Sequence, residues 1–339
     1  RDNLPGLEFR RVLFRSGNIV RELAFRLLVP QDSGRLPWRI NGLRFFLFSY
    51  PGFSMKPILF CCLFAAAAFA ADWPTWRGDA RRSGATEQVL PAALRPAWTR
   101  HLPPLEPTWQ EPLNQDRMPY DVGYEPIVAG TRMFLASNRN DSLAAYDVRD
   151  GQLLWRTYLD APVRFPPTAA DGRLYLVCDD GRLHMLAQAD GTRLGSVQGG
   201  LDDRLVLGNG RLVSPWCARG GPVLLDGRVH FGAGIWPFMG AFVQAVDAAT
   251  LAPVWKNDTA GIQYLKQPHA GSESFGGVAP QGTLAGDGDC LLVPSGRSVP
   301  ARFAAATGEL LYFHLDGSPG IQRSEERRVG KECRCRWSP

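Results

Sequence analysis

Few side chains in this 339-residue chain stand where they could do chemistry. His269 follows Pro268 and precedes Ala270-Gly271-Ser272-Glu273, a loop setting. There an imidazole acts either as a general base, which would need an orienting carboxylate, or as a hydrogen-bonded loop residue. Arg219 and Arg297 each adjoin glycine-rich turns. A guanidinium fork there could hold an anion or a carboxylate, and a solvated arginine is the plain alternative. Gly234–Gly240 (GIWPFMG) replaces a tight turn with an apolar insertion centred on Trp236. Such an insertion either lines a ligand funnel or packs on its neighbour. Ala285–Asp289 (AGDGD) is the one acidic knot in the patterned part of the chain. Calcium takes about six to eight oxygen ligands, so Asp-Gly here reads as a turn. His230 sits inside an apolar run and reads as a packed position. Serine nucleophile elbows (G-x-S-x-G) and phosphate loops (G-x-x-x-x-G-K-[ST]) do not occur. The sequence therefore assigns no catalytic residue and no metal-ligand set.

The elements that would position these groups are repeats. A turn before an apolar run recurs at Ala129-Gly130, Asp171-Gly172, Asp226-Gly227 and Asp287-Gly288. A second turn recurs at Asp150-Gly151, Asp190-Gly191, Thr250-Leu251 and Thr307-Gly308, spaced 40, 60 and 57 residues apart. Asp-Gly turns between alternating runs are hairpin signals. Little of the chain shows a helical period. The clearest unit predicts strands near Pro167–Ala169, Arg173–Cys178, Arg182–Ala187 and Thr192–Val197. Leu205–Ser214, centred on Asn209-Gly210, reads as an extra hairpin between the second and third units, and Pro96–Leu102 as an outermost strand. One four-stranded antiparallel blade cannot bury both faces, so blades stack radially. The expected fold is all-β, a partial β-propeller of about four blades; other stacked all-β arrays are the alternative.

Charge separates the middle of the chain from its ends. The formal net charge is +5, from 38 Lys and Arg against 33 Asp and Glu. Residues 1–16 contribute +2 and residues 323–339 contribute +3, so residues 17–322 sum to zero. Arg323–Cys333 (RSEERRVGKEC) and Leu7–Ser16 (LEFRRVLFRS) resemble translated sequencing adapters. Residues 17–54 read as upstream sequence without periodicity. Met55–Ala70 (MKPILFCCLFAAAAFA) has one basic residue, an apolar stretch and an Ala-Phe-Ala end, as in a secretory leader. Its run is too short to span a bilayer. Cys61 and Cys62 lie inside it, and a lipoprotein anchor there is the minor alternative to a cleaved leader. Residues 71–322 then carry about −4, which removes the charge argument for a nucleic-acid partner. The expected product is periplasmic or extracellular, with no transmembrane segment in the mature chain. Its cysteines are Cys178, Cys217 and Cys290, each beside an apolar run and each read as a buried thiol.

Ala145–Trp155 (AYDVRDGQLLW) resembles the docking motif A-x-D-x-x-x-G-x-x-x-W of quinoprotein-type, PQQ-like propellers, through Ala145, Asp147, Gly151 and Trp155. Ala245–Trp255 keeps Ala245, Asp247 and Trp255 but has Leu251 where glycine is usual. Met185–Gly195 and Arg302–Tyr312 are weaker copies. Asp72–Gly84 (DWPTWRGDARRSG) resembles the start of exported PQQ-like repeat proteins. GIWPFMG, QPH (Gln267–His269), GVAPQG (Gly277–Gly282) and PSGRSVPA (Pro294–Ala301) look like a BamB-like subfamily of them. The likeness runs from Asp72 to about Gln322 and implies a propeller cut before its ring closes. In that family the motif tryptophans are structural. The resemblance implies a non-catalytic platform for a periplasmic protein or small ligand. The alternative it leaves is an oxidoreductase dependent on pyrroloquinoline quinone (PQQ) and calcium, completed by further blades. On that alternative Arg219, Trp236, His269 and Arg297 are funnel candidates. The vicinal cysteines of some quinoprotein dehydrogenases have no mature counterpart, and no c-type haem motif occurs.

Overall fold

The computed structural model describes residues 23–30 (backbone alone), 72–89, 93–106, 123–208, 210–267, 272–295 and 299–315. These residues build four four-stranded antiparallel units. The first runs through Ile127–Ala129, Arg132–Ser137, Ser142–Asp147 and Leu153–Tyr158. The second takes Thr168–Ala170, Arg173–Val177, Arg182–Ala187 and Arg193–Gln198. Gly220–Leu225, Arg228–Ala233, Phe242–Asp247 and Pro253–Asn257 form the third, whose first strand also pairs in parallel with Gly282–Thr283. The fourth comprises Ala285–Asp287, Cys290–Val293, Ala301–Ala304 and Leu310–Tyr312. The described residues are thus all-β, a partial β-propeller of four-stranded antiparallel blades. Among the described residues a 3-10 turn, Pro237–Met239, interrupts the strands. Among the described residues no helix is long and apolar enough to cross a membrane.

Strand composition follows position in the blade. Middle strands such as Ser142–Asp147 are buried along their whole length and read as continuous apolar runs. Outer strands such as Leu153–Tyr158 alternate between exposed and half-buried positions. The first hairpin of the second and third blades turns on Asp171-Gly172 and Asp226-Gly227, where both residues have positive φ. That is the hairpin turn whose twist matches the strands, and Asp with Gly tolerates it best.

The core lies in the seams between blades. Phe134, Leu143, Leu174 and Leu186 fill the first seam. Tyr175, Leu183, Phe231 and Val246 fill the second. Leu225, Val243, Leu291 and Phe303 fill the third. On the leading side of the first blade, Trp98 and Leu102 pack with Met133, Leu135 and Tyr146. The strand that carries Trp98 spans Leu94–Leu102 and pairs antiparallel with Leu23–Pro30. Residues 17–54 show no periodicity, yet the apolar run LAFRLLV forms this strand.

Residues 72–84 run along the inner edges of all four blades. Trp73 exchanges backbone hydrogen bonds with Val128 at 2.8 Å. The carbonyl of Pro74 accepts from Ala169 at 2.7 Å, and that of Ala80 accepts from Gly286 at 2.9 Å. Arg82 is buried and donates to the carbonyls of Leu284 (2.8 Å) and Pro222 (2.9 Å), as well as to Thr75 Oγ1. Burial pulls the Arg82 guanidinium down to about 10, opposed in part by Asp79 and Glu125. Backbone carbonyls here replace the water that would otherwise solvate this cation. The side chain therefore locks the entry segment to the third and fourth blades at once.

Candidate functional site

In an antiparallel blade, the loop between strands two and three and the link to the next blade share one end. Arg219, in the link before the third blade, and Trp236, between that blade's second and third strands, both lie at this end. His269 and Arg297 lie outside the described residues. The turn at the opposite end joins strands three and four and carries the repeating glycines.

That opposite end shows how the blades dock. Trp98 indole N–H donates to Val148 O at 2.9 Å, Trp155 to Gln188 O at 3.3 Å and Trp255 to Ala305 O at 2.9 Å. Each acceptor lies three residues before the turn glycine of the next blade: Gly151, Gly191 or Gly308. A Cβ on those glycines would fall 2.7, 2.4 and 2.3 Å from the docking blade's atoms, and each has positive φ. Only glycine therefore fits under the indole. Ala145 and Ala245 are the cross-strand partners of Trp155 and Trp255, both buried, and their small size leaves room for the ring. Asp147 and Asp247 accept turn N–H groups through Oδ1, from Arg149 at 2.8 Å and from Thr250 at 2.8 Å. The Arg149 guanidinium on Asp147 and the Thr250 hydroxyl on Asp247, helped by these N–H groups, hold both carboxyl groups below the usual carboxylate range. One regularity escaped the sequence reading. The residue two after each tryptophan donates to the glycine carbonyl: Arg100 at 2.9 Å, Thr157 at 2.7 Å and Asn257 at 2.7 Å. Three different side chains share that task, so no residue pattern marked it.

At the other end, Arg219 is built into the wall. Its Nε donates to Asp179 Oδ1 at 2.7 Å and its terminal nitrogen to Oδ2 at 3.1 Å. Arg164 Nε donates to the same Oδ2 at 2.7 Å. Asp179 is buried, so one carboxylate organises two guanidiniums from two interblade links. Such pairs are costly to break, because the survivor is left as a buried charge. The Asp-Asp-Gly turn of the second blade supplies that carboxylate, a role a sequence cannot reveal when the partners stand 15 and 40 residues away.

Around this wall the rim is apolar. Trp236 and Phe238 are 48% and 68% exposed, with ring centroids 5.9 Å apart. The insertion is anchored beneath, where buried Trp216 donates its indole N–H to Met239 O at 2.7 Å. Arg204 stacks over Trp216 at 4.8 Å. Two hairpins flank the insertion. Val206–Gly208 with Arg211–Val213 is the extra hairpin expected from the sequence, and it exposes Leu207 and Leu212. Its Arg211 reaches Glu106 at 2.8 Å and also Asp141. Tyr264–Lys266 with Glu273–Phe275 brings Tyr264 and Phe275 edge to face at 5.5 Å.

Cys178, Cys217 and Cys290 are buried thiols, and Cys290 Sγ accepts from Arg302 Nε at 3.0 Å. Burial pushes the Cys217 thiol up to about 12 and raises Cys178 well above its ordinary value. Asp287, in the AGDGD turn, accepts from Arg81 at 2.9 Å. His230 donates through Nε2 to Ala305 O at 3.0 Å and lies 5.6 Å from the Trp255 ring.

Residues 95–214 match the sequence profile of the family described as outer membrane protein assembly factor BamB. Among solved structures, a quinohemoprotein alcohol dehydrogenase from Comamonas testosteroni aligns at TM-score 0.50 and 17% identity, over 75% of this chain and 42% of that one. BamB from Moraxella catarrhalis aligns at 0.42 and 16%, over 66% and 55%. A quinohemoprotein alcohol dehydrogenase from Pseudomonas putida HK5 aligns at 0.45 and 20%, over 56% and 33%. The chain thus spans between a third and somewhat over half of these structures' lengths. No curated protein matches it. The profile match agrees with the blades and docking turns: residues 95–214 are similar to the PQQ-like repeats of that family.

Two described groups at this end are poor calcium ligands. Both oxygens of Asp179 are taken by guanidiniums. The described cluster of possible metal ligands, Cys178, Asp180 and His184, offers a thiol and an imidazole where calcium prefers oxygens.

Proposed function

We propose that this chain is an exported propeller segment that works as a non-catalytic binding platform. Its ligand is a periplasmic protein or a small apolar-faced molecule. The observation that carries this reading is the rim formed by Trp236, Phe238, Tyr264 and Phe275, exposed apolar side chains on two loops of one propeller end. Exposed aromatic groups on a rigid scaffold favour recognition, since they contribute large contact area at low entropic cost. The Arg219–Asp179–Arg164 group stiffens the wall behind that rim. The BamB profile match is consistent with a protein partner. Residues 55–70 would direct export, and further blades would close the ring.

An oxidoreductase would need a bound quinone, a calcium site and an electron outlet. Incubation of the protein with PQQ and Ca²⁺ tests this directly. The platform reading expects no protein-bound quinone absorbance and no dye reduction with simple alcohols or sugars. Stoichiometric quinone binding with substrate-dependent dye reduction would overturn it.

A further inference from the structure

The turn that presents Asp179 to its two arginines also gathers three other side chains. Cys178, Asp180 and His184 are all buried, and their Sγ, carboxylate oxygen and ring nitrogen lie within 4.8 Å of one another. The first two belong to the turn, and His184 follows on the strand Arg182–Ala187. The turn is tightly drawn. Gly181, at φ +84°, donates its N–H to Cys178 O at 3.0 Å. Arg182 N–H holds Asp180 Oδ1 at 2.9 Å, and Asp180 Oδ2 meets His184 Nε2 at 2.7 Å. Cys178 Sγ donates to Ala161 O at 2.9 Å.

The geometry points to a binding site for a borderline-soft divalent cation, of the zinc or cobalt(II) class, held by Cys178, Asp180 and His184. Thiolate, carboxylate and imidazole are the donors such ions select, whereas calcium and magnesium prefer oxygen. Metal–donor lengths of about 2.0–2.3 Å place tetrahedral ligands roughly 3.3–3.8 Å apart. Side-chain shifts on the order of 1 Å would close the present cluster around an ion. Charge also balances: one thiolate and one carboxylate neutralise a dication, which removes the main cost of burying it. The Arg182 N–H on Oδ1 is an outer contact of the kind that orients a ligating carboxylate. Binding exchanges the thiol proton, released to solvent, for the metal. Water or another small ligand takes the fourth position. Because Asp179 sits between Cys178 and Asp180, a bound ion would fix the turn that holds Arg164 and Arg219.

The test uses the full chain with Cys61, Cys62, Cys333 and Cys335 replaced by serine and stripped of metal by EDTA. Titration with cobalt(II) chloride should give a thiolate-to-cobalt charge-transfer band saturating near one equivalent and displaced by zinc chloride. Cys178→Ser and His184→Gln should abolish the stoichiometric band, while Cys217→Ser and Cys290→Ser leave it intact. Should the first two variants fail to fold, alkylation keeps the question open to refutation. One equivalent of zinc should protect a single thiol, identified by peptide mass spectrometry as Cys178. Absence of the band in folded protein, its survival in Cys178→Ser, or protection of Cys217 or Cys290 instead would each overturn the site.

Discussion

The second seam solves the docking problem with other residues than the first and third. Where Trp155 and Trp255 lie against glycine turns, the second blade has Gly195 at the tryptophan position, and the third has Leu251 at the glycine position. A Cβ on Gly195 would stand 3.0 Å from Leu251 Cδ1, so the leucine side chain fills the space an indole would occupy. The cross-strand partner changes in the same sense. Ala145 and Ala245 sit beside tryptophans, whereas Met185 sits beside Gly195. The polar contact is transferred too. Ala248 O, three residues before Leu251, accepts from Tyr175 hydroxyl at 2.6 Å instead of from an indole. Volume and hydrogen bonding are thus conserved at the seam while four residue identities change. Close packing explains why: an interior tolerates exchange of shape between neighbours far better than net loss or gain.

The largest expected effect comes from placing one solution inside the other. Gly191→Leu puts a side chain where a Cβ already meets Thr157 Oγ1 at 2.4 Å and Trp155 at 2.6 Å, on a backbone with φ +74°. Overpacking together with left-handed strain should cost about 3–5 kcal/mol. Denaturant midpoints of wild type and variant measure it, and a change below about 1 kcal/mol would refute the seam assignment.

A smaller and more discriminating effect is coupling within the second seam. Gly195→Trp alone should destabilise by overpacking against Leu251 and Met185. Combined with Leu251→Gly and Met185→Ala it should recover part of that loss, giving a favourable interaction of about 1–2 kcal/mol in a mutant cycle. Strict additivity would mean that the three residues do not share one space.

These seams also show how much of the fold was legible beforehand. Asp-Gly turns and alternating runs located the blades within a residue or two, because a hairpin is set by neighbours in sequence. The hairpin at Val206–Val213 was visible for the same reason. Gly195 and Leu251 looked like decayed copies of a motif, since each makes sense only beside the other, 56 residues away. Arg82 and Asp179 were equally opaque. Their partners are backbone carbonyls and guanidiniums brought in from other blades, and no local period records such contacts. Of the funnel candidates, Arg219 was read as reaching for an anion or resting in solvent, and the fold gives it Asp179 instead. Trp236 is exposed at the rim.

The smallest effect tests the first seam against the third. Phe134 and His230 occupy matching positions, paired with Ala145 and Ala245 and lying 5.8 and 5.6 Å from Trp155 and Trp255. Burial lowers the affinity of His230 for a proton, offset in part by its bond to Ala305 O. Between its depressed folded value and about 6.5 in the unfolded chain, the native state holds fewer protons than the unfolded state. Its contribution is therefore fully present above about pH 6.5 and is lost as pH falls through the folded value. His230→Phe, which copies the first seam, should flatten this part of the stability profile by under about 1 kcal/mol between about pH 7.5 and 5.5. Ala305 O keeps its bond from Trp255, so the variant should not lose the seam. Parallel pH profiles for wild type and variant would show that His230 titrates no differently when folded, and would leave the two seams electrostatically equivalent.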